Sequence, residues 1–366
     1  MSSSPLAEWL KRSDFVAALM LGASLFQAAA MAQPFYKDKR LMVLINFEPG
    51  GPTDIEGRLF AKYISRHIEG NPSVIAQNMP GAGGIIGTSY LGRTAPKDGT
   101  VVGYLTGAAW QAVSEPEKFP VDFKTYEFVA YQPGTTVYFM RTDIPPGTKT
   151  ATDIAGAAGI VAGGLTTRST KDLRIRMTLD MLGVPYKYVT GYGSNNPARL
   201  AFERGEINFF AESPPAYLGV VEPTLVKDGK ATPVFYDTGY NGESIIEPKQ
   251  VRGLPILSFH ELYKQIKGTM PSGDLWQAYL SVNSVNNAMQ RMVVLPRQTP
   301  QAAVQALQAA VRRLNDDKEF AQEALKSVGF EVDYEAGPET NKQVRNALNM
   351  PPATKAFLDT YMKDRR

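Results

Sequence analysis

The sequence predicts an α/β fold in two lobes, on three observations. From Arg40 onward, short apolar runs alternate with helical patterns, the arrangement that strands and helices take around a sheet. One unit, a strand followed by a glycine-rich loop and a helix, comes twice in succession before the third strand. The chain is also 366 residues long, more than one hydrophobic core usually spans, so two domains are expected.

The elements are expected as follows. Residues 1–32 run in the order of an export signal: Lys11 and Arg12 close a short basic start, Phe15 to Ala30 is apolar or small, and Ala30-Met31-Ala32 offers the cleavage pattern before Gln33. No later run approaches the ~18 apolar residues of a membrane span, and with no cysteine there is no site for a lipid anchor. Leu41 to Phe47 reads as a buried strand, Glu48-Pro-Gly-Gly-Pro-Thr as a turn, and Thr53-Asp-Ile-Glu56 as a capping box opening a helix with Ile55, Leu59, Phe60 and Ile64 inward. Ser73 to Ala76 is strand-like, Gly81-Ala-Gly-Gly a loop, Ile85 to Gly92 helical, and Val101 to Leu105 a strand entered through Asp98-Gly99. After a break near Gln132-Pro133-Gly134 a second block begins: strand Val137 to Arg141, helix Thr170 to Leu182, strand Tyr186 to Val189, helix Pro197 to Phe202 and strand Ile207 to Ala211. Ala231 to Tyr236 is a strand leading back, 241–250 a loop, and Thr299 to Leu314 a long helix opened by Thr299-Pro300.

Composition narrows the function. A net charge of +3 with scattered Lys and Arg is far from the basic stripes of nucleic-acid proteins, so no nucleic-acid partner is expected. Without cysteine, thiolate zinc sites, thiol nucleophiles and disulfides drop out. The two histidines, His67 and His260, belong to no metal motif, so neither metal nor cofactor is expected. Gly81-x-Gly83 has Ile86 where a dinucleotide fingerprint needs its third glycine, and no phosphate-cradling P-loop occurs. The two glycine loops are the strongest local signal. At a helix start the free N–H groups and the positive end of the dipole point at one spot, and glycine lets a ligand approach closely.

The residues Pro49-Gly50-Gly51-x-x-Asp54, Asn78-x-Pro80-Gly81-Ala82-Gly83-Gly84-x-x-Gly87 and Ala95-Pro96-x-Asp98-Gly99 resemble the N-terminal signature of the Bug-type receptors, the periplasmic substrate-binding proteins of tripartite tricarboxylate transporters. The resemblance continues more faintly through Gly205 and Leu295-Pro296-x-x-Thr299-Pro300. It implies a two-lobed type II periplasmic solute-binding fold, a Venus flytrap, with residues 33–132 and 235–366 in the first lobe and 133–234 in the second. It further implies that Pro49, Gly50, Gly51, Asp54, Gly81, Ala82, Gly83 and Gly84 grip a ligand carboxylate. The second lobe departs from the family pattern: Gly163-Gly164-Leu165-Thr166-Thr167-Arg168-Ser169 stands where a more glycine-rich loop is usual, and Val189-Thr190-Gly191-Tyr192-Gly193 where Val-Pro-Tyr-x-Gly is common. Thr166, Thr167, Ser169 and Tyr192 are expected to face the cleft, with Arg168 either reaching a second carboxylate or facing solvent. Trp110 is expected in the core or at the rim, or stacked on an aromatic acid. The implied function is capture of a small carboxylate by a monomeric, non-enzymatic receptor in the periplasm, which hands it to a two-component membrane permease. Two alternatives remain: a receptor that signals to a membrane sensor kinase, and a secreted hydrolase or transferase using Asp54 or Glu212.

Overall fold

The computed structural model describes residues 33–364 except 115, 117, 118, 120, 168, 241–243, 338–341, 343 and 346, so the expected export signal and Arg168 lie outside the described residues. The first block reads β1 (Arg40–Ile45), α1 (Pro52–Ile64), β2 (Ser73–Asn78), α2 (Ile85–Arg93), β3 (Val101–Leu105), α3 (Ala108–Ser114) and β4 (Glu127–Gln132). The second holds β5 (Val137–Arg141), β6 (Ile160–Gly163), α4 (Thr170–Leu182), β7 (Tyr186–Val189), α5 (Asn195–Glu203), β8 (Phe209–Glu212) and β9 (Ala231–Tyr236). The remainder supplies α6 (Phe259–Lys267), α7 (Asp274–Ala288), β10 (Arg291–Leu295), α8 (Gln301–Asn315), α9 (Lys318–Val328), β11 (Glu335–Ala336) and α10 (Pro352–Asp364).

These strands form two main sheets, ordered β11-β4-β10-β3-β1-β2 and β7-β6-β8-β5-β9. In the first, β1 runs parallel to β2 and β3, while β10 lies antiparallel between β3 and β4. In the second, β6 runs parallel to β7 and β8, while β5 is antiparallel to both β8 and β9. Strands β10 and β5 are each the first strand of their sheet laid down after the chain arrives from the other sheet. Each therefore enters at the end where its antiparallel neighbours leave, which brings both kinds of strand end to one place. Two α/β sheets with flanking helices make the two-lobed architecture that the sequence predicts.

Strands such as β3, β5, β7 and β9, and helix α4, have the bounds that the apolar pattern predicts. The start of α1 does not. Pro52 occupies the first helical turn, where its fixed φ and missing N–H suit it, so Gly51 becomes the cap and makes no side-chain cap hydrogen bond. Thr53 is thereby drawn inside the helix. Glu56 turns into the core against Arg291 instead of closing a capping box, and Ile55 is left 38% exposed. Helices α3, α6, α7, α9 and α10 and strands β4, β10 and β11 are additions to the expected order.

One apolar core fills the space between the first sheet and α1, α8 and α9. A larger one runs without a break from Leu44 and Tyr126 of the first lobe to Tyr138, Leu173 and Phe209 of the second. Helix α7 packs against both α3 and α4, and α10 packs on α7. The Tyr361 hydroxyl of α10 donates to Asp180 of α4 at 2.5 Å. Helix α6 packs on the second sheet through β9. The C-terminal third thus clamps one side of the two lobes together and leaves the opposite side to form a cleft.

Candidate functional site

The cleft holds a cavity of about 180 Å³. Its wall is made where strands begin or end. Phe47, Pro49 and Gly51 follow β1, Thr106 and Gly107 follow β3, Leu165 and Thr166 follow β6, and Ser213 follows β8; Thr136 precedes β5, and Gln290 and Arg291 open β10. Ligands of open α/β sheets bind at such carboxyl ends. Three helices of nine residues or more, α1, α4 and α5, also start on this wall, at Gly51–Thr53, Ser169–Lys171 and Ser194–Asn196. Their free N–H groups and positive dipole ends come from both lobes and share one volume.

Asp54 shapes the first loop from behind. Its carboxylate accepts the backbone N–H of Gly50 at 2.9 Å, the Arg58 guanidinium at 2.8 Å and the Asn78 amide at 2.8 Å. Asn78 also donates to the Phe47 carbonyl at 2.9 Å, so β2 and α1 together fix the turn. Burial pushes the Asp54 carboxyl upward, but the Gly50, Arg58 and Asn78 donors outweigh it and hold the group below its ordinary value. The second loop turns through four consecutive positive-φ residues, Gly81, Ala82, Gly83 and Gly84. Gly83 reaches the cavity, and its carbonyl accepts from the Gln111 amide at 3.0 Å. Gly84 sits against Asn46, where a Cβ would run into the amide nitrogen. Asn46 in turn exchanges hydrogen bonds with Thr106, 2.9 and 3.0 Å, tying the ends of β1 and β3 together.

In the second lobe Asp172 plays the corresponding part. It is fully buried and accepts from the Leu165 N–H at 3.1 Å, from Ser169 and from the Tyr188 hydroxyl. Burial pushes its carboxyl up, against the pull of those hydrogen bonds. Ser169 caps α4 by accepting the Asp172 N–H at 3.1 Å. Arg174 pairs with buried Asp237 and Arg291 with buried Glu56, so both guanidiniums stand on the wall already neutralised. Glu212 is fully buried and held by Arg199 at 2.9 Å and by Asn195. The two carboxylates that a catalytic reading would use, Asp54 and Glu212, are therefore both committed to structure.

Of the residues expected to bind ligand, Pro49, Gly51, Gly83, Thr166 and Ser169 lie on the cavity wall. Gly50, Asp54, Gly81, Ala82, Gly84, Thr167 and Tyr192 lie off it, the first five supporting the loops whose next residues reach the cavity. Trp110 is 3% exposed and lines the cavity, so it is a wall residue packed into the core. His67 lies 2.8 Å from Asp317, and His260 sits beside the helix-capping Ser258 at 2.8 Å; neither lines the cavity. Sequence reading missed Thr106, Gln111, Thr136, Lys171, Asn286 and Arg291. Thr106 was within reach, because it directly follows a well-read strand. Thr136 and Arg291 were not, because only the topology shows that β5 and β10 start at the same edge.

No family model matches the chain. It is 30% identical over 188 residues to a UPF0065 protein of the TAR-I ttuE-ttuC' intergenic region of Agrobacterium vitis, a match covering 48% of this chain and 52% of that protein. It is 35% identical over 68 residues to protein BugT of Bordetella pertussis, covering 19% of this chain and 20% of BugT. The chain thus spans about half the length of the first curated relative and a fifth of the second. Solved structures match over much more. Periplasmic binding protein BugD superposes with a TM-score of 0.62 at 20% identity, over 89% of this chain and 98% of BugD. A Rhodopseudomonas palustris protein with adipate gives 0.64 at 17% identity, over 89% and 97% of the two chains. MatC of the same organism, with bound malate, gives 0.59 at 17% identity, over 85% and 99%. The chain thus shares the fold of BugD along most of its length, and is similar in sequence to BugT over a stretch of 68 residues.

Proposed function

We propose that the chain is an extracytoplasmic receptor that closes its lobes on a small organic carboxylate and delivers it to a two-component membrane permease. The observation that carries this reading is the convergence of three helix starts, from both lobes, on one cavity. Such a seat takes an oxyanion through backbone N–H groups without a dedicated counter-ion. One carboxylate lies against Gly51 and Gly83 in the first lobe, and Thr166 and Ser169 close on it from the second. Closure is a population shift that the ligand stabilises by touching both lobes at once. Structural neighbours with adipate and with malate support an organic acid as the ligand class.

A thermal-shift screen across aliphatic and aromatic acids tests the reading. A matching acid at a hundred times its Kd stabilises the folded state by about 2.7 kcal/mol, which raises Tm measurably. Gly83→Val abolishes that rise, because Gly83 has φ +64° and an added Cβ would lie 2.9 Å from the Gln111 amide. A wild-type protein indifferent to every acid, or a Gly83→Val protein that responds normally, removes the glycine loops from the site.

A further inference from the structure

Three cationic side chains line the cavity among the described residues, and they are not neutralised alike. Arg174 and Arg291 each face a buried carboxylate of their own. Lys171 does not. Its nearest carboxylate, Glu212, lies 3.9 Å away and also serves Arg199 at 2.9 Å, so one anion answers two cations. Lys171 Nζ donates to Asn195 Oδ1 at 2.8 Å and to the Ala211 carbonyl at 2.7 Å. An ammonium has three N–H donors; beyond these two acceptors Lys171 meets the Phe210 ring at 4.9 Å and Glu212 at 3.9 Å, neither within hydrogen-bond reach, which leaves one donor without an acceptor. The side chain keeps 13% of its exposure while Glu212 keeps none, and of Lys171, Arg199 and Glu212 it is Lys171 that lines the cavity.

A buried cation with half a counter-ion is costly unless something completes its shell. Desolvation lowers the Lys171 pKa, Glu212 and Asp172 raise it, and Arg174 and Arg199 lower it further, with a net downward shift. Ser194, Asn195 and Ser213 stand on the same stretch of wall and offer hydroxyl and amide groups around it. We propose that Lys171 anchors a second anionic group of the ligand, so that the receptor selects dicarboxylates over monocarboxylates of the same carbon number. This rests on the receptor reading above and adds the ligand's second charge. It also assigns the distal end of the ligand to the second lobe, where the loop sequence departs from the family pattern.

The experiment compares adipate with hexanoate, and succinate with butyrate, by titration calorimetry on the full mature chain. For the pair whose length fits, the dicarboxylate is expected to bind at least about tenfold more tightly, the worth of one charge-assisted hydrogen bond. Lys171→Met is expected to bring the two acids of that pair to within about twofold of each other. A wild-type protein that binds both members of every responding pair equally overturns the proposal and leaves the receptor reading standing; no response to any acid overturns both. A Lys171→Met protein that keeps the preference also overturns it. Where that variant fails to fold, a crystal structure of the wild-type dicarboxylate complex decides: the second carboxylate belongs within about 3 Å of Lys171 Nζ, and finding it elsewhere ends the proposal.

Discussion

At the scale of single residues, the site depends on side chains that never enter the cavity. Asp54 is the clearest, since its carboxylate organises the first glycine loop by accepting from Gly50, Arg58 and Asn78. Asn at this position keeps one acceptor oxygen and presents an NH2 to groups that are themselves donors. Asp54→Asn is therefore expected to lower stability at neutral pH by about 1.5 kcal/mol or more, the range for hydrogen bonds to a charged group, and to weaken acid binding. The pH dependence has a definite sign. The folded-state pKa of Asp54 is lowered, so its contribution is fully present above the unfolded carboxyl value of about 3.9 and fades as pH falls through the folded value. Urea midpoints of wild type and variant should converge on acidification from pH 7; a gap of constant size would remove the charge from the explanation.

At the scale of elements, the strands and the two glycine loops were readable, because buried strands are continuous apolar runs and positive-φ turns select glycine. Beyond that, three-dimensional pairing took over. Glu56 reads as the end of a capping box in sequence, yet it serves Arg291, which lies 235 positions later and reaches it only because β10 inserts beside β3. The second-lobe loop shows the same limit. In sequence Gly164 is one glycine of the loop before α4, but in the folded chain an added Cβ would fall on the Asp172 carboxylate and the Tyr188 hydroxyl. Gly164→Ala is accordingly expected to cost about 1–3 kcal/mol, as overpacking does, and to do so locally. Hydrogen exchange should speed up at the Leu165 amide, whose partner is Asp172, while amides of β1 and β3 stay protected. Unchanged exchange at Leu165 would mean that the loop does not hang on that carboxylate.

For the whole molecule, the distribution of core decides what can move. The larger core is continuous between the lobes on the side of α7 and α10, and the chain crosses there past Thr135, Thr136 and Asp237. Asp237 is held by Arg174, Tyr138 and Tyr279, so the crossing is a packed and hydrogen-bonded strap. The proposed closing on a ligand is therefore expected to be a rotation about that side, narrowing the cleft lined by the loops after β1, β3, β6 and β8. Two of the chain's three tryptophans report on different parts of this motion, the third being Trp9 in the expected export signal. Trp110 lines the cavity from α3, whereas Trp276 stacks on Tyr279 in α7 with ring centroids 5.4 Å apart, off the cavity wall. Adding a bound acid should change the emission of Trp110 and leave Trp276 nearly silent. Trp110→Phe is expected to lose the ligand-dependent fluorescence change while calorimetry still records binding. A signal that survives in Trp110→Phe and disappears in Trp276→Phe would put the moving surface in the strap and refute rotation about it.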